Sequence, residues 1–406
     1  MKEKFLPFIL CLHFSLQGIS QVSWVQKANF DGLARAGAVA FSIGTKGYIG
    51  TGHNGTSIYK DFWEWDQATN TWTQKADFGG AARSNAIGFS IGTEGYIGTG
   101  SDANTNYNDF WGWDQATNTW LQKANFPGIA RSWAVGFAVA GKGYCGTGTT
   151  GFYSPQSLND FWEYDPSNNA WTQKTNLPGR PRYSSIGFAI GKKGYIGMGV
   201  DSINPYSGQP ICSEDLWEWD QLTNSWTQKA NFPGKPLTSG IAIGTKAYVG
   251  IGCTCQPYNC DKIFWEWDQL TDTWTSLGSF PGYIQGEWVG FSIGNEGYLG
   301  TGAAFSGCLT DFWEFTPPST NAITENTSDF PLNIFPNPTA GIFTIKYSQA
   351  NTFYPLKIFN TKGEEVFCSE IRSEISQIDL SNLSKGVYFI EALTPNGRSV
   401  LKLVIL

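Results

Sequence analysis

Short apolar runs separated by glycine-rich and polar turns fill most of the chain, and three of them recur in a fixed order. An apolar run reads VAFSIG (39–44), IGFSIG (87–92), VGFAVA (135–140), IGFAIG (186–191), GIAIG (240–244) and VGFSIG (289–294). Close behind each comes GYIGTG (47–52, 95–100), GYCGTG (143–148), GYIGMG (194–199), AYVGIG (247–252) or GYLGTG (297–302). The third signal begins DFWEWDQATNTW at 61–72 and continues at 109–120, 160–171, 215–226, 263–274 and, shortened, 311–319. Its first Trp falls at 63, 111, 162, 217, 265 and 313, at spacings of 48, 51, 55, 48 and 48. Strand-like segments at a period near fifty predict the blades of a propeller.

Residues 84–126 illustrate the unit. The apolar run is strand a, the GY segment strand b, the FWxW segment strand c, and TWLQKANF strand d, with a tight turn between c and d. Side chains alternate faces along a strand, which places Trp111 and Trp113 together and Phe110 opposite. Both tryptophans are therefore expected to pack on the neighbouring sheet. Five d strands follow their own c strands, but the sixth repeat ends in FTPPST. The missing strand is at the start of the chain, where SWVQKANF (23–30) matches TWTQKANF (225–232). The N-terminal segment thus supplies the last blade's outer strand and closes the ring, which leaves no long free sheet edge.

The tyrosine and paired glycines of strand b and the W-x-W-D…T-N-x-W stretch resemble the Kelch family across about residues 22–316. The sequence departs from that pattern in having G-x-G where many Kelch repeats have adjacent glycines. The resemblance implies an all-β, six-bladed Kelch-type β-propeller closed by an N-terminal strand.

Beyond a polar linker (317–331) the composition changes: no Trp occurs after Trp313, and four segments of alternating polarity span 332–406. Their pattern predicts a small Ig-like β-sandwich. Pro336-Asn337-Pro338 with Gly341, the Gly363 turn, DLSNLSKGVYF and the final LKLVIL are similar to the type A C-terminal sorting domain of the type IX secretion system. That resemblance implies the secretion machinery as a partner, and a protein released or held on the outer surface of the outer membrane. The opposite end agrees. Lys2, Lys4, an apolar core (5–16) and GIS before Gln21 read as a signal peptide over 1–20, too short to span a bilayer.

Charge and chemistry then narrow the function. A net charge of −7 without a basic stretch argues against nucleic acid. One histidine, His53, follows the signal segment, which leaves no Ser-His-Asp or Cys-His centre and no metal or cofactor set to expect. The Asn- and Asp-rich stretch 101–109 lacks the Gly and Glu of a calcium loop and reads as a turn. Glu64, Glu163, Glu218, Glu266 and Glu314 repeat at one column and read as structural. Cys212, Cys253, Cys255, Cys260 and Cys308 cluster in the b–c loops of blades four to six, where export favours disulfides. Cys145 reads as a buried thiol.

One column between strands d and a reads Arg35, Arg83, Arg131, Arg182, Lys235 and Gln285. It has two readings. The five cations form a ligand-binding ring suited to carboxylates, or each bonds carbonyls at its own blade junction. The expected function is a non-enzymatic, exported binding protein whose loop face holds a protein or glycan. An enzyme acting on an anionic sugar, as in Kelch-type sialic acid mutarotases, is the alternative, and a purely structural surface component a third.

Overall fold

The computed structural model describes residues 22–151, 156–203, 209–255, 259–283, 286–318, 332–347, 354–360, 364–371, 375–394 and 397–406. The expected signal peptide over 1–20, Gln285 and the expected Gly363 turn lie outside them. The chain divides into two compact units, before and after Pro318.

The first unit consists of six four-stranded antiparallel sheets, each in the order a-b-c-d. Blade one comprises Val39–Ile43, Lys46–Gly50, Phe62–Asp66 and Thr71–Gln74. The sixth blade takes Val289–Ile293, Glu296–Gly300 and Phe312–Thr316 from one end of the chain and Ser23–Gln26 from the other. Ser23 pairs with Thr316 and Gln26 with Trp313, so the N-terminal closure is present as expected. Strand a of each blade lies beside those of the two adjacent blades, the sixth beside the first.

Interlocking aromatics hold neighbouring blades together. Phe62 and Trp65 of blade one are fully buried, but on opposite faces. Trp65 meets Tyr298 and Phe312 of blade six at centroid distances of 4.7 and 5.1 Å. Phe62 meets Trp113 and Trp120 of blade two at 5.0 and 5.2 Å. Each buried ring of this kind contributes about 1.5–3 kcal/mol. The first tryptophan of strand c behaves differently. Trp63 is half-buried, stands edge-on to Phe30 and donates its indole N–H to Asp61 at 2.7 Å. Only the second of the two tryptophans is buried against the preceding blade. The third, Trp72, donates to the Ala28 carbonyl of the preceding blade at 3.1 Å.

The glycine before the strand b tyrosine is set by the same interlock. A Cβ at Gly95 would stand 2.3 Å from the Phe41 ring of the previous blade. The strand c glutamates also serve the blade. Tyr48 donates to Glu64 at 2.7 Å, Tyr144 to Glu163 at 2.6 Å and Tyr195 to Glu218 at 2.8 Å. Blade two has Gly112 in that column, and Glu94 takes over the Tyr96 hydroxyl at 2.6 Å.

The second unit is a sandwich of a three-stranded sheet (Leu332–Phe335, Ile342–Tyr347, Ile375–Asp379) and a four-stranded sheet (Glu365–Ile371, Tyr354–Asn360, Gly386–Thr394, Gly397–Ile405). Phe343, Ile345, Leu356, Ile358, Ile390 and Leu403 form its core. Asn337 of the Pro-Asn-Pro motif donates to the Lys402 carbonyl at 2.6 Å and accepts from Val404 N–H at 2.9 Å. The motif and the final apolar strand are therefore joined directly.

Candidate functional site

The d–a and b–c loops emerge on one face, and the arginine column sits there, but it faces inward. Arg35, Arg83, Arg131 and Arg182 are fully buried. Arg83 Nε donates to the Ala81 carbonyl at 3.0 Å and Nη1 to the Thr99 carbonyl at 2.8 Å. Its two terminal nitrogens grip both oxygens of Asp109, and it lies between the rings of Phe78 and Tyr107 at 4.8 and 4.2 Å. Arg35 repeats the arrangement on Asp61, Arg131 on Asp160 and Arg182 on Asp215. Burial alone would raise these aspartates' pKa. The hydrogen bonds and charge of the arginine, with the indole N–H, outweigh it and hold them below the usual carboxylate range. A guanidinium sealed and bonded in this way meets no ligand, so the junction reading of these four is the one their geometry fits. Lys235 replaces Arg in blade five and lies 3.3 Å from Asp261.

Blade six breaks the series. Asp311 accepts the Trp313 indole at 3.0 Å and its own backbone N–H but has no arginine, and its Oδ1 is buried without a hydrogen-bond partner among the described residues. Burial raises its pKa, and the two hydrogen bonds it accepts do not offset this.

The cysteines of the loops separate into two groups. Cys212 is bonded to Cys255 and Cys253 to Cys260. Cys308 is a free, half-buried thiol, so the expectation of a disulfide there does not hold. Its Sγ contacts the His53 carbonyl at 3.6 Å, not the imidazole. Cys145 is fully buried, and burial pushes its thiol up to about 12. In the 101–109 stretch Asp102 closes its own turn, accepting from Asn104 and Thr105 N–H, both at 2.7 Å.

The column two residues beyond the arginines is what faces the mouth of the propeller channel. It reads Gly37, Asn85, Trp133, Ser184, Leu237 and Glu287. Five of the six have a left-handed backbone, four of them non-glycine: Asn85 at φ 54°, Trp133 at 57°, Ser184 at 52° and Glu287 at 51°. A chain of bonds between blades accounts for the strain at Asn85, Trp133 and Ser184. Asn85 N–H donates to the Gly37 carbonyl at 2.8 Å, Trp133 to Asn85 at 3.0 Å and Ser184 to Trp133 at 3.1 Å. With the backbone committed, the side chains project around a cavity of about 720 Å³. Trp133, Tyr183, Phe305, Ser184, Thr238 and Glu287 are among its lining. Phe305, on the blade six b–c loop, is 84% exposed. Glu287 is the only charged residue in the lining among the described residues, and His53 Nε2 stands 3.6 Å from its Oε2.

Sequence reasoning did not identify this column. Its signal is variability: between the cation column and the recurring apolar run of strand a lies a position that reads G, N, W, S, L and E in six repeats of one template.

Comparisons with known proteins define the class first. Residues 148–178 match the Kelch motif, and residues 333–406 match the secretion system C-terminal sorting domain. The chain is a Kelch-type β-propeller followed by a type IX secretion sorting domain, which indicates export. Particular relatives follow. The solved structure of YjhT aligns with a TM-score of 0.61 at 16% identity, covering 72% of this chain and 98% of that one. N-acetylneuraminate epimerases of Yersinia pestis (strain Pestoides F) and Yersinia pseudotuberculosis (serotype O:1b) are 31% identical over 78 residues. That match covers 19% of this chain and about a fifth of the length of those relatives.

Proposed function

We propose that this protein is an exported carbohydrate-binding protein, released or held at the outer surface, whose ligand sits in the channel mouth of the loop face. The cavity carries this reading. Its volume of about 720 Å³ lies within the range of ligand sites. Aromatic rings at Trp133 and Phe305 suit the apolar faces of sugar rings, and Ser184, Ser185, Thr238 and Asn85 suit their hydroxyls. A glycan array probed with the exported chain tests it. Trp133→Ala should lose binding at least tenfold with an unchanged melt. Absence of binding to any glycan, or equal binding by the variant, would sink the reading.

The partial similarity to N-acetylneuraminate epimerases favours a second reading, catalysis on an anionic sugar. The cavity argues against it, because its charged lining residue is an acid and the nearby arginines are buried. Interconversion of N-acetylneuraminate anomers by the purified chain above the spontaneous rate would establish it.

A further inference from the structure

The charge of the mouth selects the ligand further. Glu287 is half-buried, with its side chain 35% exposed, and its Oε2 has no hydrogen-bond donor among the described residues. A carboxylate so placed lacks a donor, and the partner that suits it best is a charged one. His53 is the nearest candidate, but its arrangement limits it. Gly55 N–H donates to His53 Nδ1 at 3.1 Å, which occupies that lone pair and sets the Nε2–H tautomer. The remaining N–H stands 3.6 Å from Glu287, beyond a normal hydrogen bond. The carboxylate thus stands without a paired cation, its exposed part on the wall of a cavity that also presents the rings of Trp133, Tyr183 and Phe305. A carboxylate beside aromatic faces, with no lysine or arginine in the lining among the described residues, attracts cations and repels carboxylates.

Resting on the carbohydrate reading above, we infer that the channel mouth recognises an amino sugar with a free, protonated amine, whose ammonium donates to Glu287 while its ring lies against Trp133. A lysine-bearing peptide has the same ammonium, but the site is poorly built for one. Extended peptides add to sheet edges through main-chain bonds. Here the amides of Asn85, Trp133 and Ser184 and the carbonyls of Asn85 and Trp133 are already bonded between blades. Recognition is left to side chains, and those offer hydroxyls and rings.

Calorimetric titration of the full chain with a glucosamine trimer, an N-acetylglucosamine trimer, a sialylated trisaccharide and a trilysine peptide separates the outcomes. The glucosamine trimer should bind at least tenfold tighter than the acetylated one, and the sialylated sugar should bind weakest. Glu287→Gln should remove the preference for the free amine while leaving the melt and the weaker affinity for the acetylated trimer in place. Raising salt should weaken the glucosamine trimer selectively. Equal or tighter binding of the acetylated or sialylated sugar would overturn the inference and leave the carbohydrate reading standing, as would tightest binding by trilysine if a sugar still binds. If no sugar binds while Trp133 is intact, both fail together. Should Glu287→Gln unfold, His53→Gln with the same panel is the second variant: it removes the imidazole beside Glu287, and the preference for the free amine should persist.

Discussion

At the scale of single residues, the arginine–aspartate pairs show how a repeated motif becomes structural. Four blades spend a fully buried guanidinium on one carboxylate and two carbonyls, three of them also on an aromatic face, and the carboxylate is also bonded by the strand c indole. Removing one partner of such a pair strands the other in low dielectric. Asp109→Asn, which leaves Arg83 buried and uncompensated, should cost about 3–5 kcal/mol in denaturant unfolding, with ligand affinity of the folded protein unchanged. Asp311 predicts the opposite sign. Its folded pKa is raised, so its contribution is present below the unfolded carboxylate value and lost as pH rises through the folded one. At neutral pH the parent has therefore lost it, and Asp311→Asn should melt higher than the parent. That advantage should shrink as pH falls and Asp311 gains its proton. A lower melt for Asp311→Asn at pH 7 would show that the acid has a partner after all. The four paired aspartates titrate in the other direction. Their depressed values give stability above the unfolded pKa that disappears as pH falls through the folded one, so acid should weaken blades one to four first.

At the scale of elements, the unit of stability is the interface between sheets, and most of it was legible in the chain. The recurring apolar run, the GY segment and the FWxW segment have the lengths and periods of strands, and counting d strands was enough to place Ser23–Gln26 in blade six. Removing residues 22–31 should expose the backbone edge of Phe312–Thr316 and uncover Phe264, Phe280 and Phe315, which Trp24 now contacts. Aggregation, or a fall in melting temperature of several degrees or more, is expected on heating or light scattering; a deletion variant that melts like the parent would contradict the closure. What the sequence did not reveal is the direction in which a loop side chain points. Arg83 and Asn85 are two residues apart, yet one is sealed in a blade junction and the other lines the cavity. That difference depends on the left-handed backbone at Asn85 and on Gly37 of the preceding blade, where a Cβ would stand 2.4 Å from the Asn85 side chain. Neither leaves a local mark in a sequence read repeat by repeat. The pairing of Cys212 with Cys255 was equally hidden, because it joins loops 43 residues apart whose proximity exists only once blades four and five are side by side.

At the scale of the whole molecule, the chain forms two compact units with separate cores: a propeller, to which we assign the ligand, and a sorting domain, which indicates export. The propeller's core aromatics belong to adjacent blades, and the ring closes on its own N-terminal strand, so it requires nothing from residues 332–406 to complete a sheet. The sorting domain is equally self-sufficient: Phe343, Ile345, Leu356 and Leu403 fill its own sandwich, and Asn337 and Thr339 bind its last strand. A chain truncated after Pro318 should therefore keep the parent's propeller melt and its affinity for the ligand, yet remain inside the cell, measured by fractionation and immunoblotting of cells and medium. Asn337→Ala is the finer test. It removes the two bonds to Lys402 and Val404 and should loosen the final strand without touching the propeller, so export should fall while the exported fraction binds normally. Export of the truncated chain at the parent's level would separate this domain from secretion. Loss of the propeller's melt on truncation would instead show that the two units fold as one.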